Sequence, residues 1–81
     1  MSHHHHDKES DMSFQEKLEK LLQHWVKHNT DHAETYREWM KKAETEDMKE
    51  VANCLEEAAA MTIQINEKFE EAIRSVVNKQ I

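Results

Sequence analysis

Three histidines recur at four-residue intervals in the run His24-Trp25-Val26-Lys27-His28-Asn29-Thr30-Asp31-His32. On an α-helix, side chains four apart lie one above the other, close enough for two imidazoles to share one cation. Asp31, three residues after His28, brings a carboxylate to the same stretch. Neutral imidazole suits nickel, cobalt and zinc, so the pattern points to transition-metal binding through His28 and His32, with His24 or Asp31 assisting. A His-x3-His pair on a helix is a ligand geometry also used by zinc proteases, but alone it specifies neither metal nor reaction. The competing reading is structural: His28, Asn29 and His32 are half-buried polar groups, and Asn29 in a helix seam sets register. A pH-sensing or ligand role is a third reading, since histidine charges near neutrality.

These residues need a helix under them. Ser13 with Glu16 is a capping-box pattern, and an apolar repeat follows it through Leu18, Leu22, Trp25, Asn29, His32, Tyr36, Trp39 and Ala43. Phe14, Leu21, Val26, Ala33 and Met40 widen that stripe. Its phase runs straight through Asn29 and Thr30, which predicts one helix of about 30 residues. Asp31 and Glu34 resemble a second capping box. A break there would give a three-helix bundle, the alternative architecture. Lys41 and Lys42 suit a helix end, and Glu44 to Asp47 form a polar connection in which Thr45 is the expected N-cap. A second helix, from Glu46 to Asn78, carries the stripe Val51, Leu55, Ala58, Thr62, Ile65, Phe69, Ala72 and Val76. Met48, Ala52, Ala59, Ile73 and Val77 broaden it, and Cys54 beside it reads as a small hydrophobe.

Two matched helices on a short loop predict an all-α antiparallel hairpin over residues 13–81. One seam buries little, and both stripes are wider than one seam needs, so the expected assembly is a homodimer that completes a four-helix bundle. Folding back about the loop sets His32 beside Ala59, and His28 with Asn29 beside Thr62 and Ile63. No His, Asp or Glu faces the pair at that level. Any further metal ligands must therefore come from a second subunit, from the N-terminal tail or from water. Trp25, Tyr36 and Trp39 read as core or interface anchors, and an exposed Trp39 would mark a partner hot spot. Residues 1–12, with His3 to His6 and little apolar content, read as a disordered tail. It is either a purification tag or a native metal-binding segment.

Composition excludes several classes. Seventeen acids against eleven bases leave a net charge of −6, which argues against nucleic acid and against an anionic membrane. The absence of glycine removes phosphate-binding loops. No glutamate has a histidine three residues on, so the di-iron bundle motif is missing. No nucleophile has an evident base and orienting group. The chain is expected not to be an enzyme. One cysteine, no apolar run near the roughly 20 residues of a membrane span and no signal sequence predict a cytoplasmic protein.

The segment Leu21-Leu22-Gln23-His24-Trp25-Val26-Lys27-His28-Asn29-Thr30-Asp31-His32-Ala33, then Tyr36 and Trp39, resembles a family of short helical bacterial and archaeal proteins. Their pattern is L-L-x-H-W-x-x-H-N-x-x-H-A, followed by an aromatic and a tryptophan. Val51-Ala52 and Ala58 to Ala60 are similar too, so the likeness spans residues 14–76. The resemblance implies proximity to transition-metal uptake proteins, hence a partner in metal transport, and implies no catalytic residue. A native His-rich tail would fit the same theme.

Overall fold

The computed structural model describes residues 12–80 of the 81. The tail expected over residues 1–12 lies almost wholly outside them. Two α-helices make up the described chain: α1, Phe14–Thr45, and α2, Lys49–Gln80, packed as an antiparallel hairpin. No helix among the described residues is long and apolar enough to cross a membrane.

The expected start of α1 is present in full. Ser13 Oγ accepts from the Glu16 N–H at 3.1 Å, and Glu16 Oε1 accepts from the Ser13 N–H at 2.9 Å. The helix does not break at residues 29–31, which overturns the three-helix alternative. Instead of capping a new helix, Thr30 turns its hydroxyl back onto the Val26 carbonyl at 3.0 Å.

The connection lies later than expected. Thr45 is the last residue of α1, not an N-cap, and its hydroxyl donates to the Lys42 carbonyl at 2.7 Å. Asp47 adopts φ 61°, the left-handed region. Its N–H then reaches Glu44 O at 3.1 Å, and the Met48 N–H reaches Ala43 O at 2.9 Å. This paired closure is a Schellman motif, with aspartate in the place usually given to glycine. The turn is therefore Glu46 to Met48, and α2 begins three residues after the expected Glu46.

The seam is built from small residues. The buried apolar side chains are Leu22, Ala33, Ala43, Ala52 and Ala59. Alanine lets two helices approach toward the near end of the ~8–10 Å interaxial range. The consequence is a thin core: no large side chain is fully buried. On α1, Leu22 and Ala43 are buried as the expected stripe has them, and at the remaining buried positions of the two helices the buried residue is the one C-terminal to the one expected. Ala33 is buried where His32 was expected, and Ala52, Ala59 and Asn66 are buried where Val51, Ala58 and Ile65 were.

Asn66 is the one buried polar residue among those described. Its Nδ2 donates to the Val26 carbonyl at 3.0 Å and to Thr30 Oγ1 at 3.1 Å. With the Thr30 hydroxyl bond, this closes a ring of three hydrogen bonds across the seam at mid-length. It ties α2 to one register on α1, the task that the sequence assigns to Asn29. Among the described residues Asn66 Oδ1 meets no donor, and an unmet buried acceptor costs about 1–3 kcal/mol.

Two outcomes follow for stability. Asp47→Gly relieves the left-handed strain and raises unfolding free energy by about 0.5–1 kcal/mol, whereas Asp47→Val lowers it by about 1 kcal/mol or more. Urea unfolding of the two variants checks this, and a destabilised glycine variant would contradict the turn assignment. Asn66→Leu removes the orphaned oxygen and raises the midpoint by the equivalent of about 1 kcal/mol, but loosens register. The indole N–H signals of Trp25 and Trp39 then split into more than one set in proton–nitrogen spectra. A less stable variant with single signals would show that Asn66 is not the register device.

Candidate metal centre on the first helix

Because Ala33 rather than His32 faces the seam, the histidines are outside it. His24, His28 and His32 are all exposed, while Asn29 is half-buried as expected. The reading in which the histidines pack half-buried within the hairpin does not hold. They form a ladder of rings up α1. His24 and His28 centroids are 5.9 Å apart, His28 and His32 are 4.4 Å apart, and His32 stacks on Tyr36 at 6.0 Å with an angle of 17°.

Only one step of that ladder brings nitrogens together. His28 Nε2 and His32 Nε2 are 2.8 Å apart, so a neutral pair shares one Nε2–H as donor and one bare Nε2 as acceptor. Replacing that proton by a metal ion requires a similar spacing. Two bonds of ~2.05 Å at 90–109° set their nitrogens roughly 2.9–3.3 Å apart. A small ring rotation supplies the difference, and exposure leaves the remaining coordination positions open.

The other expected ligands are placed differently. His24 lies beside His28 with its ring tilted by 43° and its centroid 5.9 Å away. Asp31 is engaged by Lys27, at 3.5 Å from Nζ to Oδ2, and both side chains are solvent-exposed. Cys54, read as a small hydrophobe beside the stripe, is exposed on α2. Among the described residues no group of three or more His, Cys, Asp or Glu side chains is placed to hold one ion. Within one chain the pair is a two-ligand clamp.

The surroundings of the clamp are apolar. Leu21, Trp25 and Trp39 of α1 are 47%, 39% and 57% exposed. Each stands one residue before a seam position, about 100° round the helix. Val51, Met61 and Ile65 of α2 are exposed and stand one residue before Ala52, Thr62 and Asn66. On antiparallel right-handed helices, the same turn from the seam points to the same side of the hairpin. These side chains, with His32 among them, therefore form one face, and Trp25 meets Phe69 across it at 5.6 Å. The opposite face is charged, with Arg37 Nε bridging to Glu56 Oε1 at 3.5 Å. Trp39 is held open by Lys42, whose Nζ lies 4.2 Å from the ring centroid.

Sequence reasoning missed Asn66, although a signal existed. Ala52, Ala59, Asn66 and Ile73 follow at seven-residue steps, the spacing of a seam line, and that line contains the small residues.

Residues 18–76 match the model of a family described as a domain of unknown function (DUF8180), and the chain belongs to that family. No curated protein and no solved structure matches the chain.

Proposed function

We propose that this family member is a small, non-enzymatic metal-binding accessory protein that takes nickel, cobalt or zinc through the His28–His32 clamp. The observation that carries the reading is the 2.8 Å convergence of two exposed Nε2 atoms, a spacing close to what two bonds to one ion demand. Two imidazoles do not complete a site. The chain works as a homodimer, pairing two hairpins through their apolar faces into a four-helix bundle. The thin alanine seam supports this, because a domain with so little internal burial gains most from covering its large exposed side chains. A cytoplasmic setting and a protein partner in metal transport complete the proposal, and they rest on the sequence resemblance.

A second reading is favoured by the same face: a protein-interaction module with no metal. Trp39, exposed and with Lys42 over its ring, is its natural anchor.

Calorimetric titration of Ni²⁺, Co²⁺ and Zn²⁺ separates the two. The protein used is the full chain with His3, His4, His5 and His6 replaced by serine, so that the tail does not contribute. Micromolar or tighter binding is expected. It falls at least tenfold in His28→Ala and in His32→Ala, and changes by less than about threefold in Asp31→Ala. Binding that survives loss of both histidines, or no binding at all, would leave the interaction module as the function.

A further inference from the structure

We infer that the metal site lies on the two-fold axis of the homodimer, where His28 and His32 of two chains together hold one ion. The inference rests on the clamp proposed above and adds who supplies the missing ligands. One chain offers two nitrogens and, among its described residues, no third ligand. The site is incomplete without a donor from beyond these described residues.

Position along the helix selects that donor. α1 runs Phe14–Thr45, so its midpoint falls between Asn29 and Thr30, and the clamp at residues 28 and 32 straddles the next residue on. A two-fold axis crossing α1 near its midpoint stacks a second α1 antiparallel upon the first. His28 of each copy then meets His32 of the other. The same axis brings Trp39, 57% exposed, to the level of Leu21, 47% exposed, on the second copy. On α2 it brings Met61 to the level of Ile65. Each large exposed side chain named here gains an apolar neighbour by one operation, as an isologous interface requires.

Helix phase gives the same answer. His32 is one residue before the buried Ala33, hence central on the apolar face, and His28 lies further round toward the outer side of α1. Stacking α1 on α1 places an outward-leaning His28 at the margin of the interface, beside its counterparts. Stacking α1 over α2 would send the two His28 rings to opposite edges of the bundle. The face offers Leu21, Trp25, Trp39, Val51, Met61 and Ile65 as exposed apolar side chains to an interface. Four imidazoles about one ion form a tetrahedral all-nitrogen site of the kind zinc accepts.

Native mass spectrometry and sedimentation equilibrium with Zn²⁺, on the full chain with His3 to His6 replaced by serine, test the shared site. One zinc per two chains is expected. His28→Ala/His32→Ala is expected to remain dimeric and take up no zinc. Trp39→Glu is expected to be monomeric and to bind zinc at least tenfold more weakly, with Met61→Glu as the second variant should the first fail to fold. One zinc per chain, either in the dimer or in a monomeric variant at undiminished affinity, overturns the shared site while leaving the clamp standing. Absence of zinc binding by the unmodified helices overturns the clamp and the shared site together.

Discussion

The close approach of two helices through alanine governs the rest of this molecule. Ala33, Ala43, Ala52 and Ala59 have almost no side chain to fit, so the backbones can come together, and Leu22 is the one large apolar residue buried with them among those described. The large apolar side chains must then go elsewhere. Trp25, Trp39, Val51, Met61 and Ile65 are turned to one side of the hairpin, and His32 is turned with them because it shares their phase. A seam made of leucine would have drawn these residues inward and buried the imidazoles. Small residues inside and large ones outside is thus the packing choice that exposes the histidine pair.

Such a seam gives little energy and little specificity of its own. Alanine surfaces slide past one another without a strong preference, and register must be set by something directional. Asn66 supplies it through two donated hydrogen bonds to Val26 and Thr30, at the same level of the hairpin as the histidine pair. Thr30 takes part because its hydroxyl is already folded back onto its own helix. The turn contributes at the other end. Asp47 accepts a left-handed conformation so that α2 starts in a fixed phase relative to α1. Together the two devices hold the faces of both helices in line, and the apolar surface is continuous rather than staggered.

The hairpin, its continuous first helix and its capping box were all legible from residue types and spacing, because each depends on local rules that single residues obey. The phase of the seam was not. Both stripes are broad enough to admit two centre lines one residue apart, and hydrophobicity favours the line with Trp25, Trp39, Val51 and Ile65. Packing favours the neighbouring line with Ala33, Ala52, Ala59 and Asn66, because closeness of backbones outweighs the size of any one side chain. The turn escaped for a related reason. In a chain without glycine, the left-handed residue is an aspartate that also looks like a helix-starting acid, and Thr45 looks like a cap. At the site, the four-residue spacing of His28 and His32 carried through to converging nitrogens. Asp31 shares that stretch of sequence but is drawn to Lys27, the cation four residues before it.

The exposure of the histidines bears on what the apolar face is for. An imidazole that merely packs is expected in the seam, hydrogen-bonded to the opposing helix as Asn66 is, and His28 and His32 do neither. Among the described residues, each is the other's hydrogen-bond partner. Placing two such groups among tryptophan, methionine and isoleucine is costly to any surface that must also be covered, since covering it strips water from the nitrogens. The cost is met if the covering partner brings matching ligands and an ion takes the place of that water. It goes unmet against an apolar partner that offers nothing to a bare nitrogen. The same desolvation that would penalise an empty interface would strengthen a filled one, because ion–ligand attraction grows as solvent is excluded. Covering the face and filling the site are therefore coupled in sign, each making the other more favourable.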